Sequence, residues 1–222
     1  MMENISARII NLVIFLPLFL IAITVHEFAH GYAAYWAGDD TAKLKGRLTL
    51  NPIAHVDPLG LVFFFASAIS GFGFGWAKPV PVNPVKFKKM RRDDIIVSLA
   101  GVAANLLMMI LTAIVIKALV MGGLADFTIN ADPTNVQYRL QSLLLQFFFL
   151  NGVLVVFNLI PVPPLDGSHV VIQLFSKDPI MTEIKLSRYG FMFLIILLFT
   201  GILSSVVDFA LTKMVLLLQF FI

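Results

Sequence analysis

The sequence predicts an all-α polytopic membrane protein, with about four full spans and a re-entrant or β-hairpin segment between the first and second. Three observations carry this. Of 222 residues, 59% are hydrophobic and only 13% charged, against about 45–50% and about 25% in soluble domains. The charges collect in a few short stretches, separated by apolar runs of the ~20 residues that cross a bilayer core. Lys and Arg are distributed so that two stretches are basic and one is not, which sets the sides. A soluble enzyme, a disordered chain and a disulfide scaffold are excluded. With no cysteine, any metal must be held by His, Asp or Glu. The net charge of +3 does not suggest nucleic-acid binding. The length suits one membrane-embedded domain over residues 1–222.

The first span is expected at about 9–37, kinked or loosened at Pro17. Its weak basic N-terminus and its ionisable side chains argue for a retained helix rather than a cleaved signal. Residues 38–58 are polar and mildly basic. Leu59–Ser70 is apolar but short for a crossing and runs into Gly71-Phe-Gly-Phe-Gly75-Trp76, then Pro79, Pro81 and Pro84. The second span is expected at 95–121, the third at 138–160, stopped by Pro161, Pro163 and Pro164. The last is expected at 189–207, or longer through Asp208 and Lys213.

Residues 38–94 hold nine Lys and Arg, 161–188 hold three, and the 122–137 turn holds none. The positive-inside rule therefore puts the first two stretches in the cytoplasm and the turn outside. That assignment requires the region of about 41–84 to dip into the membrane and return.

Val25-His26-Glu27-Phe28-Ala29-His30 is an H-E-x-x-H pattern. On a helix, residues i and i+4 share a face, so His26 and His30 can meet one ion. Glu27 lies about 100° around the helix, close enough to serve as general base. Two imidazoles and a carboxylate inside a membrane helix are costly and point to function. Zinc hydrolases use three protein ligands and one open position. Most carboxylates here sit in loops beside basic residues. Asp166 differs, because it follows the proline-broken end of the third span and emerges on the face where His26 and His30 lie. Glu183, in what reads as a short interfacial helix, is a rival third ligand. His169 is a weaker candidate.

His26-Glu27-x-x-His30, together with Asn158-x-x-Pro161-x-Pro163-x-Leu165-Asp166-Gly167, resembles the site-2 protease family of intramembrane zinc metalloproteases. The Gly46–Gly60 and Gly75–Pro84 stretches look like its compact, PDZ-lacking branch. The resemblance covers roughly residues 15–175. It implies one Zn²⁺ per chain on His26, His30 and Asp166, with Glu27 as general base. It implies a transmembrane protein as substrate and the lipid bilayer as surroundings. A prokaryotic plasma membrane, with the site toward the cytoplasm, is the implied location. The family often has Gly-Pro in the middle span before its Asn. Here Ala100-Gly101-Val102-Ala103-Ala104-Asn105 lacks the Pro but keeps Gly101 and Asn105 at i, i+4. Small residues there allow another helix to pack closely. Asn105, His55 and Asn158 are candidates for contacting substrate or the oxyanion.

A helical substrate must unwind before its carbonyl is open to attack. Lys43–Asn51 and Gly71–Trp76 are the expected edges on which the freed strand could pair. The rival reading of the same residues is a membrane metal carrier or scaffold with a His/His/Asp site and no proteolysis. A carrier has no need of Glu27.

Overall fold

The computed structural model describes residues 5–69, 75–125 and 136–221. Its described residues are helical, with one isolated antiparallel bridge, Val56 to Ala77, and no strand. Helix α1 (Ile5–Ala37) runs unbroken through Pro17 and ends at Gly38, whose φ of +112° suits glycine. A four-residue helix α2 (Thr41–Leu44) and a 3₁₀ turn at Pro52–His55 precede α3 (Pro58–Ile69). Asp39 anchors this region. It is fully buried and accepts the backbone N–H groups of Thr41 and Asn83.

Four long helices follow. They are α4 (Met90–Met121), α5 (Val136–Asn158), α7 (Pro179–Phe199) and α8 (Ile202–Phe221), with α6 (Asp166–Phe175) between the second and third. α4 is the central helix and packs on α1, α5 and α6. α8 presents Leu203, Ala210, Met214 and Leu218 at helical spacing. The last three join Ile116 of α4 and Phe148 of α5 in an apolar core.

The polarity is that of a bilayer protein. Large apolar side chains such as Phe175, Phe199 and Phe220 face outward, while Thr24, His26, His30, Asn105 and Asn151 are buried. Lipid leaves outward apolar groups in a matching medium and drives polar groups to find partners inside. Among the described residues, four helices are long and apolar enough to cross a membrane: Ile10–Ala37, Met90–Met121, Val136–Asn158 and Ile202–Phe221. The chain is an integral membrane protein.

The first three agree with the expected spans. The fourth, Ile202–Phe221, differs from the single span expected from about 189, whether ending near 207 or continuing through Asp208 and Lys213. The apolar run is broken at Thr200-Gly201, where Gly201 has φ +75°, and α8 starts afresh. Continuous hydropathy hides such a turn. α7 carries Glu183, Lys185 and Arg188 and is not among the four.

The β-hairpin expectation is also corrected. Lys43–Asn51 forms the end of α2 and a series of turns, not an edge strand, because local i→i−4 and i→i−5 bonds take its backbone: Lys45 N–H donates to Thr41 O and Arg47 N–H to Ala42 O. Of the Gly71–Trp76 segment, residues 71–74 lie outside the described residues. On either side of them the chain meets itself. Lys78 N–H donates to His55 O at 2.9 Å beside the Val56–Ala77 bridge.

Candidate metal centre

His26 and His30 lie one turn apart on α1, their Nε2 atoms 2.9 Å from each other. Asp166, at the first turn of α6, brings Oδ2 to 3.3 Å from both. α6 begins there because the Pro161–Pro164 stretch cannot continue α5, and Gly167 lets the new helix sit against Leu159 O, where any Cβ would collide.

The outer faces of the two imidazoles decide their chemistry. His30 Nδ1 lies 2.7 Å from Val97 O, an acceptor only, so it donates. His26 Nδ1 lies 2.6 Å from Asn105 Oδ1. A relay fixes that direction. Asn151 Nδ2 donates to Phe147 O, so Asn151 Oδ1 faces Asn105, whose Nδ2 donates to it at 2.9 Å. Asn105 Oδ1 is left for His26, which must donate. Both Nδ1 atoms thus carry hydrogen, and in the neutral rings both Nε2 atoms present lone pairs to Asp166 Oδ2. That oxygen is buried and has no hydrogen-bond partner. Three converging lone pairs repel unless a cation lies among them. Donors about 2.0 Å from a tetrahedral zinc are about 3.3 Å apart, and the observed edges are 2.9, 3.3 and 3.3 Å. The donor set fits zinc.

Gly101 makes this possible. A Cβ there would stand 2.6 Å from His26 Cε1 and 2.7 Å from His30 Cε1, and closer still to His30 Nε2. α4 therefore passes directly behind the rings.

Two clefts meet at the centre. One, of about 370 Å³, is lined largely by apolar groups including Phe19, Ile23, Trp76, Phe157, Phe191 and Leu194. The other, of about 320 Å³, is lined by His30, Asp94, Ser98, Asp166 and His169 among others. His26, Glu27, Pro79, Asn158 and Pro164 border both. Glu27 Oε2 accepts the backbone N–H of Val80 at 2.7 Å, so its carboxylate is oriented by the 78–82 segment.

The remaining candidates separate. Asn158 borders both clefts, its amide donating to Leu154 O. Asn105 is fully buried, and its polar contacts are His26, Ala22 O and Asn151 rather than either cleft. His55 is fully buried, donates from Nε2 to Thr49 O at 2.8 Å and borders neither cleft. Glu183 lies with His169 and Asp94, apart from the triad. Asn151 was not singled out in the sequence. Its signal was available, an amide side chain within an otherwise apolar span.

The model of peptidase family M50 matches residues 14–199. The chain belongs to peptidase family M50. This M50 chain is 39% identical over 194 residues to YwhC of Bacillus subtilis, covering 84% of this chain and 80% of that one. It is 31% identical over 189 residues to Rip2 of Mycolicibacterium smegmatis, covering 83% of this chain and 66% of that one. Rip2 of Mycobacterium tuberculosis is 29% identical over 189 residues, covering 84% of this chain and 66% of that one. All three relatives carry names of candidate zinc metalloproteases. No solved structure matches the chain. The M50 assignment makes it a zinc metallopeptidase of the site-2 protease type, and the His26, His30 and Asp166 geometry suits that metal.

Proposed function

We propose that this M50 peptidase cleaves transmembrane segments of other membrane proteins at a single zinc held by His26, His30 and Asp166. The observation that carries the reading is the placement of Glu27 where the apolar and polar clefts meet. An unwound apolar segment fits the first, and water enters by the second. Zinc, when bound, supplies a Lewis acid that polarises the scissile carbonyl and acidifies water. Glu27 takes a proton from the attacking water and returns it to the leaving nitrogen as the C–N bond breaks. Val80 N–H holds one carboxylate oxygen and keeps Glu27 turned toward the cleft. Asn105 and Asn151 position His26 from behind. Asn158, on the rim of both clefts, is placed to contact the substrate backbone.

The substrate needs partners for its freed backbone groups. Residues 78–83 have no helical pattern and lie beside Glu27, which suits them to pair with an extended strand. The region of about 41–84 is read as re-entrant, a reading supported by the Val56–Ala77 bridge within it. With the basic 38–94 stretch in the cytoplasm, the centre opens on that side of a prokaryotic plasma membrane.

The test is co-expression with single-span membrane proteins of the same organism, tagged at both ends, together with elemental analysis of the purified chain. Wild type should release tagged fragments and hold about one zinc at this centre. Glu27→Gln should keep the metal and release no fragments. Asp166→Ala should lose the zinc of this centre and release no fragments. Fragments of unchanged yield from Glu27→Gln would refute the mechanism, and metal transport without any cleavage would favour the carrier.

A further inference from the structure

The polar cleft leads to a second group of ligand-type side chains that the triad does not use. Asp94 comes from α4, His169 from α6 and Glu183 from α7. Their donor atoms all lie within 4.8 Å of one another, with His169 Nδ1 3.8 Å from Asp94 Oδ2 and 3.8 Å from Glu183 Oε1. We propose that Asp94, His169 and Glu183 form a second site for a divalent transition-metal cation such as Zn²⁺, which fastens the start of α7 to α4 and α6. This does not rest on the triad holding zinc.

The first argument is charge. Asp94 is only 3% exposed, and a buried carboxylate is costly without a cation. Among the described residues no Lys or Arg comes within ion-pair range of Asp94 or Glu183. The nearby arginines are otherwise engaged. Arg91 donates to the carbonyls of Gln173, Ser176 and Lys177, and Arg92 pairs with Asp93.

The second argument is unmet bonding. His169 Nδ1 is buried and has no hydrogen-bond partner, since 3.8 Å is beyond hydrogen-bond range. Gln173 is 3% exposed, and its Nε2 donates to Asp94 Oδ2 at 2.7 Å. A carboxylate ligand is commonly held from behind in this way. The Oε1 of the same amide is buried and unpartnered, an open carbonyl lone pair at the edge of the cluster. Burial pushes the Glu183 carboxyl up, and the Asp94 carboxylate draws the His169 imidazole up. Both directions mark a site short of positive charge.

The third argument is the donor set. One imidazole nitrogen and two carboxylate oxygens suit Zn²⁺ or Mn²⁺ and not a soft ion such as Cu⁺. The 3.8 Å edges exceed the about 3.3 Å of a closed tetrahedral zinc site. Glu183 and His169, both partly exposed, must close in by a few tenths of an ångström. The site is accordingly weaker than the triad and exchangeable. Its consequence reaches the apolar cleft, because α7 also carries Phe191 and Leu194 on the cleft wall, with Gly190 seated against Pro163. A cation on Glu183 steadies that wall.

The experiment uses full-length protein purified in detergent, dialysed against micromolar Zn²⁺ and assayed by elemental mass spectrometry. Wild type should hold about two zinc ions, Glu183→Gln about one, and a His26→Ala/His30→Ala/Asp166→Ala variant about one. Adding Glu183→Gln to that variant should remove the last. If the triad reading fails instead, the triple variant keeps the wild-type value while Glu183→Gln still lowers it by one. Asp94→Asn supplies a second comparison, and the wild-type against Glu183→Gln difference decides alone if the triple variant does not stay monodisperse. Zinc should also protect the 176–178 link from protease in wild type and not in Glu183→Gln. Equal zinc content in wild type, Glu183→Gln and Asp94→Asn would overturn the proposal.

Discussion

Replacing Gly101 by alanine should damage the metal centre, although the same change normally helps a helix. In the interior of α4, intrinsic propensity favours alanine over glycine by about 0.5–1 kcal/mol. Here the added methyl would lie 2.6 Å from His26 Cε1 and 2.7 Å from His30 Cε1, against the roughly 3.5–4.0 Å of ordinary carbon contacts. About 1 Å of overlap must be relieved. The rings cannot turn away cheaply, because His26 Nδ1 is bonded to Asn105 and His30 Nδ1 to Val97 O. α1 must therefore separate from α4, or one imidazole must leave the triad. Overpacking of this kind costs about 1–3 kcal/mol. If that cost falls on the metal-loaded state, zinc affinity drops about 5- to 150-fold, at about 1.4 kcal/mol per decade. Zinc content measured against a graded chelator, with monodispersity and thermal melting as controls for folding, reads this directly. A Gly101→Ala protein that melts higher than wild type and keeps full zinc affinity would refute the argument.

Two further outcomes are expected. Asn105→Leu fills the same volume but removes the acceptor for His26 Nδ1 and strands Asn151 Oδ1. Zinc affinity should fall about 10- to 100-fold, with Asn151→Leu milder because it leaves His26 its partner, and chelator titration of both proteins would show equal losses if the relay had no role. His55→Ala removes a buried hydrogen bond to Thr49 O and a packed ring, so thermal stability should fall by about 1–3 kcal/mol with zinc affinity unchanged. A loss of zinc without a loss of stability would place His55 at the centre after all.

The legible part of this protein is the part governed by local geometry. The i, i+4 spacing of His26 and His30 obliges the two rings to share a face wherever the helix lies, and the structure puts their Nε2 atoms side by side. Apolar length made α1, α4 and α5 readable because each must cross a bilayer of known thickness. The same criterion failed at Thr200-Gly201. A single glycine with positive φ reverses the chain without interrupting its hydropathy. The expected edge at Lys43–Asn51 failed for a related reason, since alternating leucines in a short segment also fit a turn of helix followed by bends.

His55 and Asn105 illustrate what residue type alone leaves undecided. Each is a polar side chain near a motif, equally suited to touch substrate or to brace the fold. His55 is settled by a turn only six residues long, closing on Thr49 O, whereas the partners of Asn105, which are His26, Ala22 O and Asn151, depend on helices meeting across 46 to 83 residues of chain.

The sequence by itself determined a polytopic membrane chain with two imidazoles and a carboxylate on one helix, because periodicity and hydrophobic length are set within each segment. Only the tertiary structure decided that Asp166 closes the triad, that Gly101 admits it, that Asn151 anchors its tautomer and that an apolar and a polar cleft meet at Glu27. Those facts depend on how α4 packs between α1, α5 and α6, and packing is a property of surfaces brought together, which no single segment carries.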